Sequence, residues 1–148
     1  MKMGSRRANI GMLFALGAGL LWGCGGSAYT ELGKSRDRWD RQRPEHYLYI
    51  YEATGFVADA GIPWTLEVSG FDVVAATYAG EGTAPSGTSL TAENAPTIDA
   101  LFGRIQKAFD SSQGTTATYD PTWGFPTDVT ISVGSETDGF KASNLEER

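Results

Sequence analysis

Residues 97–109, TIDALFGRIQKAF, place the strongest constraint on what this chain can fold into. Ile98, Leu101, Phe102, Ile105 and Phe109 recur at spacings of 3, 4, 7 and 11 from the first. On a helix those five side chains line up as one apolar stripe. A stripe of that width has to lie against another apolar surface. Thr97 offers an N-cap hydroxyl directly after Pro96, and Arg104 and Lys107 fall away from the stripe. The spacing predicts a helix of about 13 residues, packed along one side.

The surface it needs is supplied by segments with a period of two. In HYLYIYEATGF, 46–56, Tyr47, Tyr49 and Tyr51 alternate with Leu48 and Ile50, which predicts a strand. PWTLEVSG, 63–70, puts Trp64, Leu66 and Val68 on one face and predicts a second. A turn at Gly70-Phe71-Asp72 leads to VVAATYA, 73–79, so these two strands form a hairpin. TTATYD, 115–120, and TDVTISV, 127–133, are read as two more, joined by the tight connection PTWGFP. Residues 80–96 are rich in Gly, Ser, Thr and Pro and read as a mobile loop. Residues 34–42 alternate in charge around Trp39 and read as a first helix, which Pro44 stops or bends. The expected fold is α+β and two-layered, in the order α-β-β-β-α-β-β. An antiparallel sheet of about five strands carries two helices on one face. The acidic residues 134–148 are expected to be loose.

The start of the chain reads as an address. Lys2, Arg6 and Arg7 precede residues 8–21, which carry no charge and are rich in Gly and Ala. That is the secretory-leader pattern, and it is short for a spanning helix. Leu21-Trp22-Gly23-Cys24 resembles the bacterial lipobox, with Leu at −3, a small residue at −1 and Cys at +1; Trp22 departs from the usual −2 residue. The resemblance implies a signal peptide over 1–23 and acylation of Cys24, the only cysteine in the chain. A cysteine consumed by lipid leaves no free thiol on an exported protein. Residues 24–33 are then the lipidated Cys and a flexible tether, and 34–133 a single domain. The implied partner is a membrane, reached through the lipid. Gly25 at +2 implies the outer membrane, facing the periplasm, in a cell with two membranes.

Without Lys2, Arg6 and Arg7 the 12 basic residues fall to 9 against 18 acidic ones, a net charge of −9. The basic residues cluster in KSRDRWDRQR, 34–43, which reads as a solvated helix face in preference to a headgroup contact. An acidic body excludes a nucleic-acid partner, which needs a basic surface. With no cysteine beyond Cys24 the core holds by packing, without an internal disulfide.

Trp39, the Tyr-rich strand 47–51, the hairpin at Gly70, TIDALFGRIQKAF and ATYDPTWGFPTDVTIS occur in an order that resembles DUF6174, a family of small exported bacterial domains. The residues that carry the resemblance are Thr97, Ile98, Asp99, Leu101 and Phe102, then Tyr119, Asp120, Pro121, Gly124, Phe125, Pro126 and Thr127. It spans roughly 39–133. Members often carry two cysteines after the first strand, where this chain has ATGFVADAG. The resemblance implies the fold and brings no activity.

Chemistry is sparse in the sequence. His46 is the only histidine, and no motif supplies it with a nucleophile and an orienting acid. No nucleophile elbow, zinc-protease helix or phosphate-binding loop is present. Asp120 and Asp128 flank PTWGFP and are a candidate acid/base pair for a hydrolase; Asp before Pro is also an ordinary turn residue. No cofactor or metal is expected. Trp123 and Phe125 at the turn are read as an exposed contact, with Trp123 folding back onto the core as the alternative. Tyr47, Tyr49 and Tyr51 form an open aromatic face if they point away from the helices, and core if they do not. The expected function is non-catalytic: a lipid-anchored envelope protein that binds another envelope component, a protein or a glycan. The alternatives are the Asp120–Asp128 hydrolase and an inhibitor that presents residues 121–126 to an envelope enzyme.

Overall fold

The computed structural model describes residues 24–148, and the leader read over 1–23 lies outside them. The chain runs α1 (Cys24–Gln42), β1 (His46–Gly55), β2 (Pro63–Ser69), β3 (Asp72–Tyr78), α2 (Ile98–Asp110), β4 (Gly114–Tyr119), β5 (Pro126–Val133) and β6 (Glu136–Glu147). The strands form one sheet of six in the order β3-β2-β1-β6-β5-β4, and every neighbouring pair is antiparallel. Both helices lie on one face. The α+β class and the helix-on-sheet layering hold, while the strand count of about five is corrected to six.

The additional strand comes from the tail expected to be loose. β6 is central, pairing β1 on one side from Gly55↔Asp138 to Tyr47↔Glu147 and β5 on the other from Asp128↔Lys141 to Val133↔Glu136. Only Phe140 and Ala142 of β6 enter the core. Two filled ladders, in place of apolar content, hold this strand. A Cβ at Gly139 would stand 1.9 Å from the Val129 carbonyl oxygen, so the backbones meet where only glycine fits.

α2 forms as its stripe dictates. The Thr97 hydroxyl accepts from the Ala100 amide at 3.2 Å, and Ile98, Leu101, Phe102, Ile105 and Ala108 are buried, with Phe109 half-buried at the rim. α1 corrects a second expectation. Residues 25–33 are helical, not a flexible tether, and the helix runs unbroken from Cys24 to Gln42. Its glycines disfavour helix. The bias is overcome because Leu32, Ser35 and Trp39 make a buried line at i, i+3 and i+7. Ion pairs Glu31–Lys34 at 3.0 Å and Arg36–Asp40 at 3.4 Å run along it. The basic end of α1 is also less solvated than expected. Arg43 reaches Asp99 in the first turn of α2 at 3.2 Å and Arg36 reaches it at 3.6 Å, tying the two helices.

The inner face of the sheet carries the core: Tyr47, Tyr49 and Tyr51 on β1, Trp64, Leu66 and Val68 on β2, Val129 and Ile131 on β5, Phe140 and Ala142 on β6. α2 covers the β4–β5 side. Over β1 and β2 the cover is the chain between β3 and α2, through Leu90 and Ala95, which pack against the core half-buried. Among the described residues no layer covers the outer face, and Leu48, Ile50, Glu52 and Thr54 of β1 stand half-buried there.

Candidate functional site

The structure places each residue singled out above, and most are committed to the fold. Tyr47, Tyr49 and Tyr51 point toward the helices and are buried, so they form no open aromatic face. The Tyr47 hydroxyl accepts from the Ile98 amide at 3.4 Å, and the Tyr49 hydroxyl donates to the Pro96 carbonyl. Together they seat the start of α2. Burial pushes the Tyr47 hydroxyl up to about 12, and the fully enclosed Tyr49 well above the ordinary tyrosine range.

The 121–126 turn is docked, not presented. Phe125 is buried in the core and Trp123 is half-buried against it. Gly124 has φ of +86°, and a Cβ there would meet the Ser35 carbonyl oxygen at 2.5 Å, so the turn lies directly on α1. Gln42 donates to the Thr122 carbonyl from the same side. One Asp120 oxygen accepts from the Thr122 and Trp123 amides at 2.8 and 2.6 Å, the turn-forming role of aspartate. Asp120 also lines an outer-face groove with Glu52 and Lys141, and Asp128 does not line it. Asp128 stands exposed, in register with Lys141. Asp120 is thus bonded into its own turn, while Asp128 lies on β5 beside Lys141. His46 is exposed at the start of β1. Cys24 is the first residue of α1.

Unmet chemistry gathers elsewhere. A cavity of about 270 Å³ lies where the helical cover of the sheet gives way to the loop cover. Tyr51, Ala53 and Trp64 form its floor, Val57 and Asp59 one wall, Leu90 and Asn94 another, and Arg104 of α2 closes it. Trp64 is 7 % exposed, and its indole N–H is buried with no hydrogen-bond partner among the described residues. A buried donor left unmet costs about 1–3 kcal/mol, so such groups are rare and ask for a reason. Arg104 bonds Asp138 at 3.2 Å and lies 5.5 Å from the Phe140 ring centre. Burial raises the Tyr51 hydroxyl above its ordinary range, and the Arg104 charge beside it acts in the opposite direction.

A single clasp holds the two loops that wall the cavity. Asp59 has φ of 63°, a left-handed conformation that Asp tolerates better than most side chains. Its carboxylate accepts from the Ser89 amide at 3.1 and 2.9 Å and from the Ser89 hydroxyl at 3.0 Å. Asn94 continues the bracing, donating to the Ser89 carbonyl and accepting from the Thr91 amide. The 80–96 segment, read as mobile, is thus fastened at 89–94. Beyond the Asp59 turn, Phe56 is 86 % exposed at the rim beside Val57.

A larger groove of about 480 Å³ separates the helices, floored by Leu32 and Phe102 and kept open by Gly33 and Gly103. Two of its polar groups are engaged, Arg36 with Asp40 and Asp99 and Gln106 with Tyr29 and Asp110, while Asp37 and Lys107 line it at the solvent-facing side. Volume favours this groove, and unsatisfied chemistry favours the cavity at Trp64. Trp64, Arg104, Asp59 and Ser89 were not singled out in the sequence. A tryptophan at an inward strand position was the one available signal, because its N–H needs a partner once buried.

Among the described residues, two helices on one face of an antiparallel sheet of six strands define a small two-layer α+β domain. The chain belongs to a family of unknown function, DUF6174, whose model matches residues 31–139. No curated protein and no solved structure matches it.

Proposed function

We propose that this chain is a lipid-anchored protein of the bacterial cell envelope, on the outer membrane facing the periplasm where there are two membranes. Its domain binds a small ligand in the cavity at Trp64 and catalyses no reaction. The observation that carries the binding reading is Trp64, which lines that cavity and whose buried indole N–H has no partner among the described residues. A fixed, desolvated donor in a largely apolar recess provides recognition. The non-catalytic reading draws support from Asp120, whose carboxylate is used by its own turn, and from His46, exposed at the start of β1.

The anchor reading rests on the leader-like 1–23 segment and the Leu21–Cys24 pattern. α1 begins at Cys24, so a lipid there would join the domain through a helix, with no slack between them. Two acyl chains hold a protein to a bilayer stably where one does so marginally.

One preparation tests both halves. The full chain is expressed in a bacterial host, extracted from the membrane fraction and examined by mass spectrometry, beside Cys24→Ser and Trp64→Phe variants. The expected wild-type result is an N-terminus at Cys24 with added acyl mass, together with a small molecule released on denaturation. Cys24→Ser should lose the acyl mass, and Trp64→Phe should lose the small molecule. A soluble chain with a free thiol removes the anchor. Identical released material, or none, from wild type and Trp64→Phe removes the binding site.

A further inference from the structure

We infer that the ligand of the Trp64 cavity is a small apolar carboxylate, its oxygens held between the Trp64 indole N–H and the Arg104 guanidinium. This rests on the reading of the cavity as a binding site and adds the class of molecule it takes.

The argument is an inventory of what the walls leave unused. Asp59 is the one acid on them, and both its oxygens accept from Ser89. The Asn94 oxygen accepts from the Thr91 amide at 2.8 Å, and its nitrogen donates to the Ser89 carbonyl at 2.9 Å. What remains is donors. The Trp64 N–H has no partner among the described residues, and Arg104 carries five N–H groups, of which some are spent on Asp138 and on the Tyr51 hydroxyl. A ligand that fits must bring acceptors, and the Arg104 charge on the wall repels an amine. Arg104 is the only cation on the wall, and a planar guanidinium pairs with a carboxylate more strongly than with a neutral carbonyl. The rest of the surface is Ala53, Val57, Leu90 and the Tyr51 and Trp64 rings, suited to a hydrocarbon tail. Asp138 does not line the cavity, so it competes with the ligand for Arg104 from outside it.

The test follows the tryptophan indole N–H resonances of the ¹⁵N-labelled full chain by NMR. The Trp64 signal is the one missing from Trp64→Phe. The probes are hexanoate, its neutral isostere hexanamide, and hexylamine. Hexanoate should move the Trp64 proton downfield and saturate, as expected when a free N–H gains a charged acceptor. Hexylamine should leave it in place. Arg104→Gln should weaken hexanoate about tenfold or more, the scale of a lost charge-assisted bond. Asp138→Asn, which removes the competitor, should tighten it. That opposite direction separates loss of binding from a disturbed fold, because both variants break the same ion pair. Hexanamide binding as tightly as hexanoate, with the same Trp64 shift, overturns the carboxylate and leaves the cavity reading intact. If no probe moves the Trp64 signal, the inference and the site fall together.

Discussion

The inner face of the sheet is covered in two different ways, and the contrast locates the candidate site. Over β4 and β5 the cover is α2, whose Ile98, Leu101, Phe102 and Ile105 are fully buried. Over β1 and β2 it is loop, and its apolar residues Leu90 and Ala95 are only half-buried. A helix satisfies its own backbone and presents a regular stripe, so it closes on a sheet without polar gaps. A loop must find side-chain partners for its backbone, as the Ser89 amide does at Asp59. It packs less evenly and leaves a recess at the boundary. Regular cover supplies stability, and irregular cover leaves room and unmet donors.

The largest expected effect lies under the helix. Phe102→Ala should cost about 3–5 kcal/mol, against about 1 kcal/mol for the half-buried Leu90→Ala, measured by urea denaturation. Equal losses would erase the distinction between the two covers.

Alkaline pH acts on both halves. Tyr47 under the end of α1 and Tyr119 stacked on Phe102 are each raised from 10.0 to about 12, mainly by burial. The folded chain keeps these protons while the unfolded chain releases them near 10. Their contribution to stability is therefore complete below pH 10 and is lost as pH rises through about 12. Urea midpoints should fall across that window, and the slope should flatten in the double variant Tyr47→Phe, Tyr119→Phe.

A more local effect is expected at the clasp. Asp59→Gly tolerates the positive φ and removes the carboxylate, so it isolates the bonds to Ser89. Amide exchange should quicken at Ser89 and Asn94 while α2 stays protected. Uniform quickening would mean that the loop cover unfolds with the rest. The smallest effect is at Tyr119, whose buried hydroxyl finds no partner among the described residues. Tyr119→Phe alone should change stability by less than about 0.5 kcal/mol or raise it at neutral pH, because no bond is lost. Tyr49→Phe, which loses the bond to Pro96, should cost about 1 kcal/mol.

Legibility in the sequence tracked periodicity. α2 with its Thr97 cap, β1 to β5 to within about a residue, and the hairpin at Gly70, where φ is 62°, all follow local pattern. The first half of α1 and all of β6 do not. Glycines argue against helix at 25–33, yet Leu32 has core to reach. In β6 only Phe140 and Ala142 are inward and buried, among Lys141, Ser143, Asn144 and glutamates. The candidate site was illegible for a related reason. Trp64 and Arg104 are distant in sequence and come to line one cavity only where α2 meets the 57–59 and 89–94 segments.

By itself, the sequence determined where apolar periods of two and 3.6 occur, where turns break them, and hence a helix-on-sheet domain of the DUF6174 family. Tertiary structure alone decided that a polar, acidic tail became a central strand, that the three tyrosines face inward, and that one indole N–H, on a residue lining the same cavity as Arg104, has no partner among the described residues. The reason is physical. Side-chain period is a local property of the chain, whereas backbone pairing, the choice of sheet face and the satisfaction of a buried donor depend on what distant segments bring to the same place.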